Sequence, residues 1–420
     1  MAPGGPPSAF APPDAAVGRA AAVCDHVQVF AIDRAEEVAA TPLGIYVHVP
    51  FCERRCGYCA FTTVAVGDPD GDDAAARIER YVDAATDEVR AAAVALAGVA
   101  PPLTSVFFGG GTPTTLPAEQ LGRVLGAVTE SFDVRDDLEV TVESNPDGLR
   151  PGQLAALREV GATRISFGMQ SIRRRVLALL DRTHDPERAL AAVAEARGVG
   201  FEHVSLDLIY GTPGETAEDW VATIDAVVSA DVDHVSAYAL GIEAGTKLAA
   251  RVRRGELSMP DDDVAAERYL LADRVLERAG FAWYEISNWA RGDDARCRHN
   301  LLYWRNQNWW GIGPGAHSHL SGLRWWNVDD ETRWASGAGD VELSSGRIGG
   351  HEVLDAEQRE LERVLTGIRL AEGLPLDGSA DARSALDDRV RGLVEVRDGR
   401  AVLTEPGRLL ADEVVRCLTV

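Results

Sequence analysis

The chain has 420 residues, 46% of them hydrophobic, which is enough for a real core and too long for one ordinary domain. Its formal net charge is −24, and Lys247 is its lone lysine, so a nucleic-acid partner, which needs a basic face, is not expected. No apolar run approaches the roughly 20 residues of a membrane span, so no integral membrane segment is expected and the cytoplasm is the default compartment.

Residues 1–41 are rich in Ala, Pro and Gly and read as a disordered extension, neither signal peptide nor anchor. From residue 44, β-branched runs alternate with amphipathic stretches. Strands are predicted at 44–49, 105–108, 138–143, 164–168, 204–210 and 234–240. Helices are predicted at 76–96, 118–131, 151–160, 172–180 with 186–198, and 217–229. This alternation predicts an α/β fold of βα units on a parallel sheet, closed or open, as a core over 42–260. A segment at 261–350 follows, with a helix at 261–279, a strand at 281–287 and a tryptophan-dense stretch from His299 to Trp326. The tail, 351–420, reads as a small α/β unit with helices at 357–370 and 379–391 and a hairpin at 393–403 turning on Asp398-Gly399. Helix, helix, hairpin and closing helix are winged-helix-like, but the acidity makes DNA binding unexpected.

Cys52, Cys56 and Cys59 follow the first predicted strand and form the most informative cluster in the chain. Three thiolates do not complete the four-cysteine shell of an electron-transfer cluster; they can hold three irons of a [4Fe–4S] cluster and leave the fourth open. Zinc would want a fourth ligand, and His48 is near in sequence but lies inside the strand-like run. Disulfides are disfavoured by the few cysteines and the lack of a secretory signal. Cys24, Cys297 and Cys417 are scattered and read as plain thiols. Several other strands also end in chemically loaded residues, Gly109-Gly-Gly-Thr-Pro113, Glu143-Ser-Asn-Pro146, Gly168-Met-Gln170 and Asp207, on the rim where parallel sheets place their sites.

These residues resemble a known family. Cys52-Glu-Arg-Arg-Cys56-Gly-Tyr-Cys59 fits the CxxxCxxC signature of radical S-adenosylmethionine (SAM) proteins, whose fold is a partial (β/α)6 barrel. Tyr46-Val-His-Val-Pro-Phe-Cys52, Phe108-Gly-Gly-Gly-Thr-Pro113, Glu143-Ser-Asn-Pro146, Phe167-Gly-Met-Gln-Ser171 and Asp207-Leu-Ile-Tyr-Gly211 look like successive motifs of the oxygen-independent coproporphyrinogen III oxidase group. The resemblance implies a cluster on Cys52, Cys56 and Cys59 that chelates SAM and is fed by an electron donor. It also implies SAM contacts from Tyr46, Gly110 and Glu143, and second-SAM contacts from Gly111, Thr112, Gln170, Arg182 and Asp207. The oxidase signature continues as CxxxCxxCxC, whereas Phe61 occupies the extra position here. In addition, His299-Asn-Leu-Leu-Tyr-Trp304 is similar to the HNxxYW motif of the heme chaperones of the HemW type. That similarity implies heme contacts from His299, Asn300, Tyr303 and Trp304, with delivery of heme to recipient hemoproteins; the axial ligand stays open, since Cys297, His317 and His319 lie close in sequence. Read from the residues alone, either His299 is an axial iron ligand with Tyr303 and Trp304 covering a porphyrin face, or, as is favoured, the aromatics are core and His299 bonds a carbonyl. A homodimer is allowed by the sequence but marked by no interface pattern. The expectation is therefore a heme chaperone on a radical SAM scaffold, with porphyrinogen decarboxylation as the alternative activity and a zinc-stabilised interaction protein as the third reading.

Overall fold

All six β-branched runs form strands, each within a few residues of its predicted bounds. A computed structural model describes residues 30–31, 33–67, 71–337, 346–376 and 390–419. In chain order the first part contains α1 (Ala35–Ala40), β1 (Leu43–Val49), the two-residue strands β2 (Phe51–Cys52) and β3 (Val64–Ala65), α2 (Asp72–Ala95), β4 (Leu103–Gly110), α3 (Ala118–Ser131), β5 (Val134–Ser144), α4 (Gln153–Glu159), β6 (Arg164–Gln170), α5 (Arg174–Leu179), α6 (Pro186–Gly198), β7 (His203–Tyr210), α7 (Ala217–Ser229) and β8 (His234–Ala239). Then come α8 (Lys247–Arg253), α9 (Asp262–Arg278), β9 (Ala282–Glu285), β10 (Asn288–Ala290), α10 (Arg298–Trp304), β11 (Asn308–Ile312), β12 (His317–Leu320), β13 (Leu323–Asn327), α11 (Glu331–Ser336) and β14 (Ile348–Val353). The C-terminal part has α12 (Ala356–Gly367), β15 (Leu374–Pro375), β16 (Val394–Arg397), β17 (Arg400–Leu403), α13 (Glu405–Leu409) and α14 (Ala411–Leu418).

Among the described residues, one sheet of twelve strands runs in the order β14-β13-β12-β11-β1-β4-β5-β6-β7-β8-β10-β9. Strands β11, β1 and β4 to β8 are mutually parallel, and the strands at both ends are antiparallel additions. The two ends do not meet, so the sheet is an open, partial barrel. The predicted strand at 281–287 is a hairpin, β9 and β10, and the tryptophan-dense stretch supplies α10 and three strands beyond β1.

Parallel strands are covered on their outer face by the crossover helices, which is why β1 buries all but one of its residues and reads as an apolar run. Val82 and Val89 of α2, Val124 and Val128 of α3 and Ile224 of α7 face this core. The added strands are tied down by a buried carboxylate on α2. Glu88, 1% exposed, accepts hydrogen bonds from Gly313 N (2.9 Å), Asn327 Nδ2 (2.8 Å) and Trp334 Nε1 (3.1 Å). A second small core, centred on Val364, Ile368, Leu374, Leu403 and Val414, joins α12 and α14 to a three-stranded sheet. Asp398 and Gly399 both adopt left-handed backbone at the hairpin turn, as the Asp-Gly signal predicts. Most of the helix predicted at 379–391 lies outside the described residues. Among those residues, no helix is long and apolar enough to cross a membrane.

Candidate cofactor site at the open rim

The cysteine loop begins where β1 runs out. Its ends are pinned together by β2 and β3, with Val64 N donating to Pro50 O (2.7 Å) and Val66 N to Cys52 O (2.9 Å). The next strand end packs tightly beneath it. Gly111 and Thr112 donate to Val49 O (2.8 Å) and Phe51 O (2.7 Å), and a Cβ on Gly111 would lie 2.6 Å from Phe51 O. Gly110 has φ +103°, and a Cβ there would strike the His48 ring at 2.5 Å. The glycine run is thus needed for close backbone approach to the loop.

Side chains continue the contact. Thr112 Oγ1 lies 3.6 Å from Cys52 Sγ and accepts from Asn145 Nδ2 (2.9 Å). Arg182 Nη1 donates to Asn145 Oδ1 (2.7 Å) and lies 3.5 Å from Cys56 Sγ, while Nη2 donates to Gly168 O (2.5 Å). A chain of polar contacts therefore runs from one cysteine to another through Thr112, Asn145 and Arg182. Burial pushes the Cys52 thiol up to about 12 and also raises Cys59, so loading this loop requires removing protons. His48 has both ring nitrogens taken, by Tyr46 OH (3.0 Å) and Thr62 O (2.8 Å), and so is not the fourth ligand that a zinc site would want.

One cavity of about 200 Å³ brings together the three cysteines with Tyr46, Gly110, Gly111, Thr112, Glu143, Gln170, Arg182, Asp207, His299, Asn300 and Tyr303. Trp304 is not among its walls; it packs beside Tyr284, Leu301 and Leu370 on the outer side of α10. Gln170 ends β6 at φ +62°, a left-handed conformation at a register shift in the ladder, and it is buried there. Burial and the charge of Asp207 push the Glu143 carboxyl up to about 8; burial raises Asp207 as well, although Ser166 Oγ donates to it at 2.8 Å.

The strands turn Thr141, Ser166, Ser205 and Ser236 toward the lumen, among the rings of Tyr46, Phe61, Phe107 and Tyr303. Thr141 Oγ1, Arg164 Nη2 and Arg182 Nε, all on lining residues, are buried with no hydrogen-bond partner. Such orphans mark room for a polar ligand or water.

The floor is held by α10. Glu139 of β5 accepts from Arg298 N and His299 N, both at 3.0 Å, capping the donors at the start of that helix. His299 is 1% exposed, and its ring bridges Ser105 Oγ and Tyr303 OH, both 2.9 Å away. Its ring also stacks against Phe107, with centroids 5.2 Å apart, and burial pushes its pKa down to about 3. Asn300 Nδ2 donates to Glu285 Oε1 (3.1 Å). His299 is thus a buried histidine with both nitrogens satisfied by side chains instead of the carbonyl expected from the residues alone. Asn145 and Glu139 were absent from the sequence-based set. Asn145 sits inside the Glu143–Pro146 motif, a signal that could have found it, whereas nothing local marks Glu139.

An open parallel sheet with a three-cysteine loop after its first strand and a cavity with buried carboxylates at its carboxyl rim defines a radical SAM protein. Residues 46–227 match the family model described as the radical SAM superfamily. The heme chaperone HemW of Mycobacterium tuberculosis (strain ATCC 25618 / H37Rv) is 49% identical over 379 residues, covering 90% of this chain and 95% of that protein. The heme chaperone HemW of Bacillus subtilis (strain 168) is 33% identical over 384 residues, covering 88% and 97%. The chain belongs to the HemW family of radical SAM proteins. Coproporphyrinogen III oxidase (HemN) from Escherichia coli has the same fold, with a TM-score of 0.76 at 22% identity, covering 94% of this chain and 93% of that one.

Proposed function

We propose that this chain is a heme chaperone that carries a [4Fe–4S] cluster and SAM and passes heme to hemoproteins. Identity of 49% along nearly the whole length of a HemW heme chaperone carries this reading. Cys52, Cys56 and Cys59 fit a cluster with one free iron, since they share one loop and His48 is already engaged. The cluster, when bound, supplies one electron and an open coordination position to SAM. In this reading Arg182 and Thr112 orient the cysteine loop from behind, through Cys56 and Cys52. Glu143 and Asp207, two buried carboxylates, favour a cationic ligand such as a sulfonium, while Tyr46, Gly110, Gly111 and Gln170 shape the walls around it. His299, Asn300 and Tyr303 hold the floor, and Trp304 anchors α10 from outside. We assign the protein to the cytoplasm, with an electron donor and recipient hemoproteins as partners.

Phe61 lines the cavity where the oxidase signature has a further cysteine, which favours carrying a porphyrin over transforming one. Titration of the anaerobically reconstituted protein with heme should shift the Soret band and saturate near one heme per chain. An unshifted band, or conversion of coproporphyrinogen III with SAM and a reductant, would overturn the proposal.

A further inference from the structure

Arg164 opens β6 and enters the lumen from the end opposite the cysteines; the two ends of that strand lie roughly 20 Å apart at 3.3 Å per residue. It is 1% exposed, and a charge buried so deeply ordinarily has an ionic partner. Here Nη1 donates to Ala295 O at 2.7 Å and Nη2 has no hydrogen-bond partner. Among the described residues no ion pair holds the guanidinium.

The groups of opposite charge within electrostatic reach of Arg164 are Cys297, Glu139, Tyr284 and Asp233, and each is engaged elsewhere or neutral. Glu139 accepts from Arg298 N and His299 N, both at 3.0 Å. Asp233 accepts from Val204 N (2.9 Å) and pairs with His203 Nδ1 (2.8 Å). Burial keeps the Tyr284 phenol protonated and pushes the Cys297 thiol up to about 12.

A second unpartnered group stands beside the arginine. Thr141 of β5 is the parallel register partner of Arg164, so both side chains leave the sheet on one face, and both line the lumen. Thr141 Oγ1 is buried and has no hydrogen-bond partner either. Two adjacent donors without acceptors, set among the rings of Tyr46, Phe107 and Tyr303, suit an acceptor-only anion in surroundings of low dielectric. A planar carboxylate offers one oxygen to each and brings a single charge to a single guanidinium. A doubly charged phosphate would be repelled more strongly by Glu143 and Asp207, which line the same lumen.

We propose that the floor of the lumen binds a small monocarboxylate, held by Arg164 Nη2 and Thr141 Oγ1, with the rest of the molecule extending toward the cysteine rim. The ligand is held by ion pairing and hydrogen bonding, with no bond in it made or broken. The site does not depend on the heme chaperone reading.

The test is calorimetric titration of the full chain with sodium acetate, sodium chloride keeping the ionic strength constant, and with acetamide as the neutral counterpart of the same shape. Acetate should bind saturably at one per chain, and acetamide should not bind. Thr141→Val keeps the shape of the side chain and removes only an unpartnered hydroxyl. Its melting temperature without ligand should match or exceed that of the wild type, while Kd for acetate rises roughly 10-fold. Arg164→Gln, with a circular dichroism spectrum like that of the wild type, should lose acetate binding; Thr141→Val carries the test should Arg164→Gln not fold. A wild type that ignores acetate, equal binding of acetamide, or an unchanged acetate Kd in Thr141→Val would overturn the proposal. Inorganic phosphate that binds more tightly than acetate would overturn the assignment to a monocarboxylate.

Discussion

At the residue scale, the site is built from groups whose ordinary preferences are opposed. Glu143 is a carboxylate in a place that disfavours its charge, held there with Asp207 as a like-charged neighbour. Its folded pKa, about 8, lies above the unfolded value near 4.3, so the folded state binds this proton more tightly. The ligand-free protein therefore bears no penalty from Glu143 below about pH 4. It loses stability progressively as pH rises toward 8, and the loss is constant above that. Glu143→Gln removes the ionisation. Its melting temperature relative to wild type should rise between pH 6 and pH 8.5 in the ligand-free form. An offset that is the same at both pH values would contradict the assigned environment. The cysteines, the glycine run and Glu143 were legible in the sequence because each sits at or near the end of an apolar run. His299 was legible as a residue but not in its role. Its partner Ser105 lies 194 positions away, and no local pattern announces such a bond.

At the element scale, the strand–helix alternation was readable because period and composition change together between a buried parallel strand and an amphipathic helix. The bounds of α3, α6 and α7 coincide with the prediction. What composition could not show was that Asn308–Ile312 pairs in parallel with β1, since that contact depends on the whole intervening barrel being in place. The extension beyond it is tied to α2 by Glu88, alongside strand pairing and the apolar packing of Trp310, Leu320 and Trp325. Glu88→Ala would leave three buried donors, on Gly313, Asn327 and Trp334, without an acceptor, at about 1–3 kcal/mol each. Loss of about 3 kcal/mol or more is expected in denaturant unfolding, with Glu88→Gln less affected because it keeps one acceptor oxygen. Equal stability of Glu88→Ala and wild type would show that the extension is held by its apolar packing alone.

At the scale of the whole molecule, an open sheet rather than a closed barrel leaves the cofactor cavity open at one rim. The lumen and its rim present buried carboxylates, glycine backbone and three thiols among aromatic rings. The antiparallel extension buries Trp310 and Trp325 and packs beside the same loop through Gly315 and Thr62. Parallel topology explains why motifs scattered from Tyr46 to Asp207 could be assigned to one site from sequence: their strands all end on one edge. The position of the extension next to that edge was not legible, because it is set by the pairing of β11 with β1. The measurement that tests the central claim most directly is heme transfer. The reconstituted chain, loaded with heme and mixed with an apo-hemoprotein, should lose its Soret band while the acceptor's grows in equal amount, with no porphyrinogen consumed. Heme that stays on the chain, or passes to the acceptor no faster than free heme does, would contradict the account.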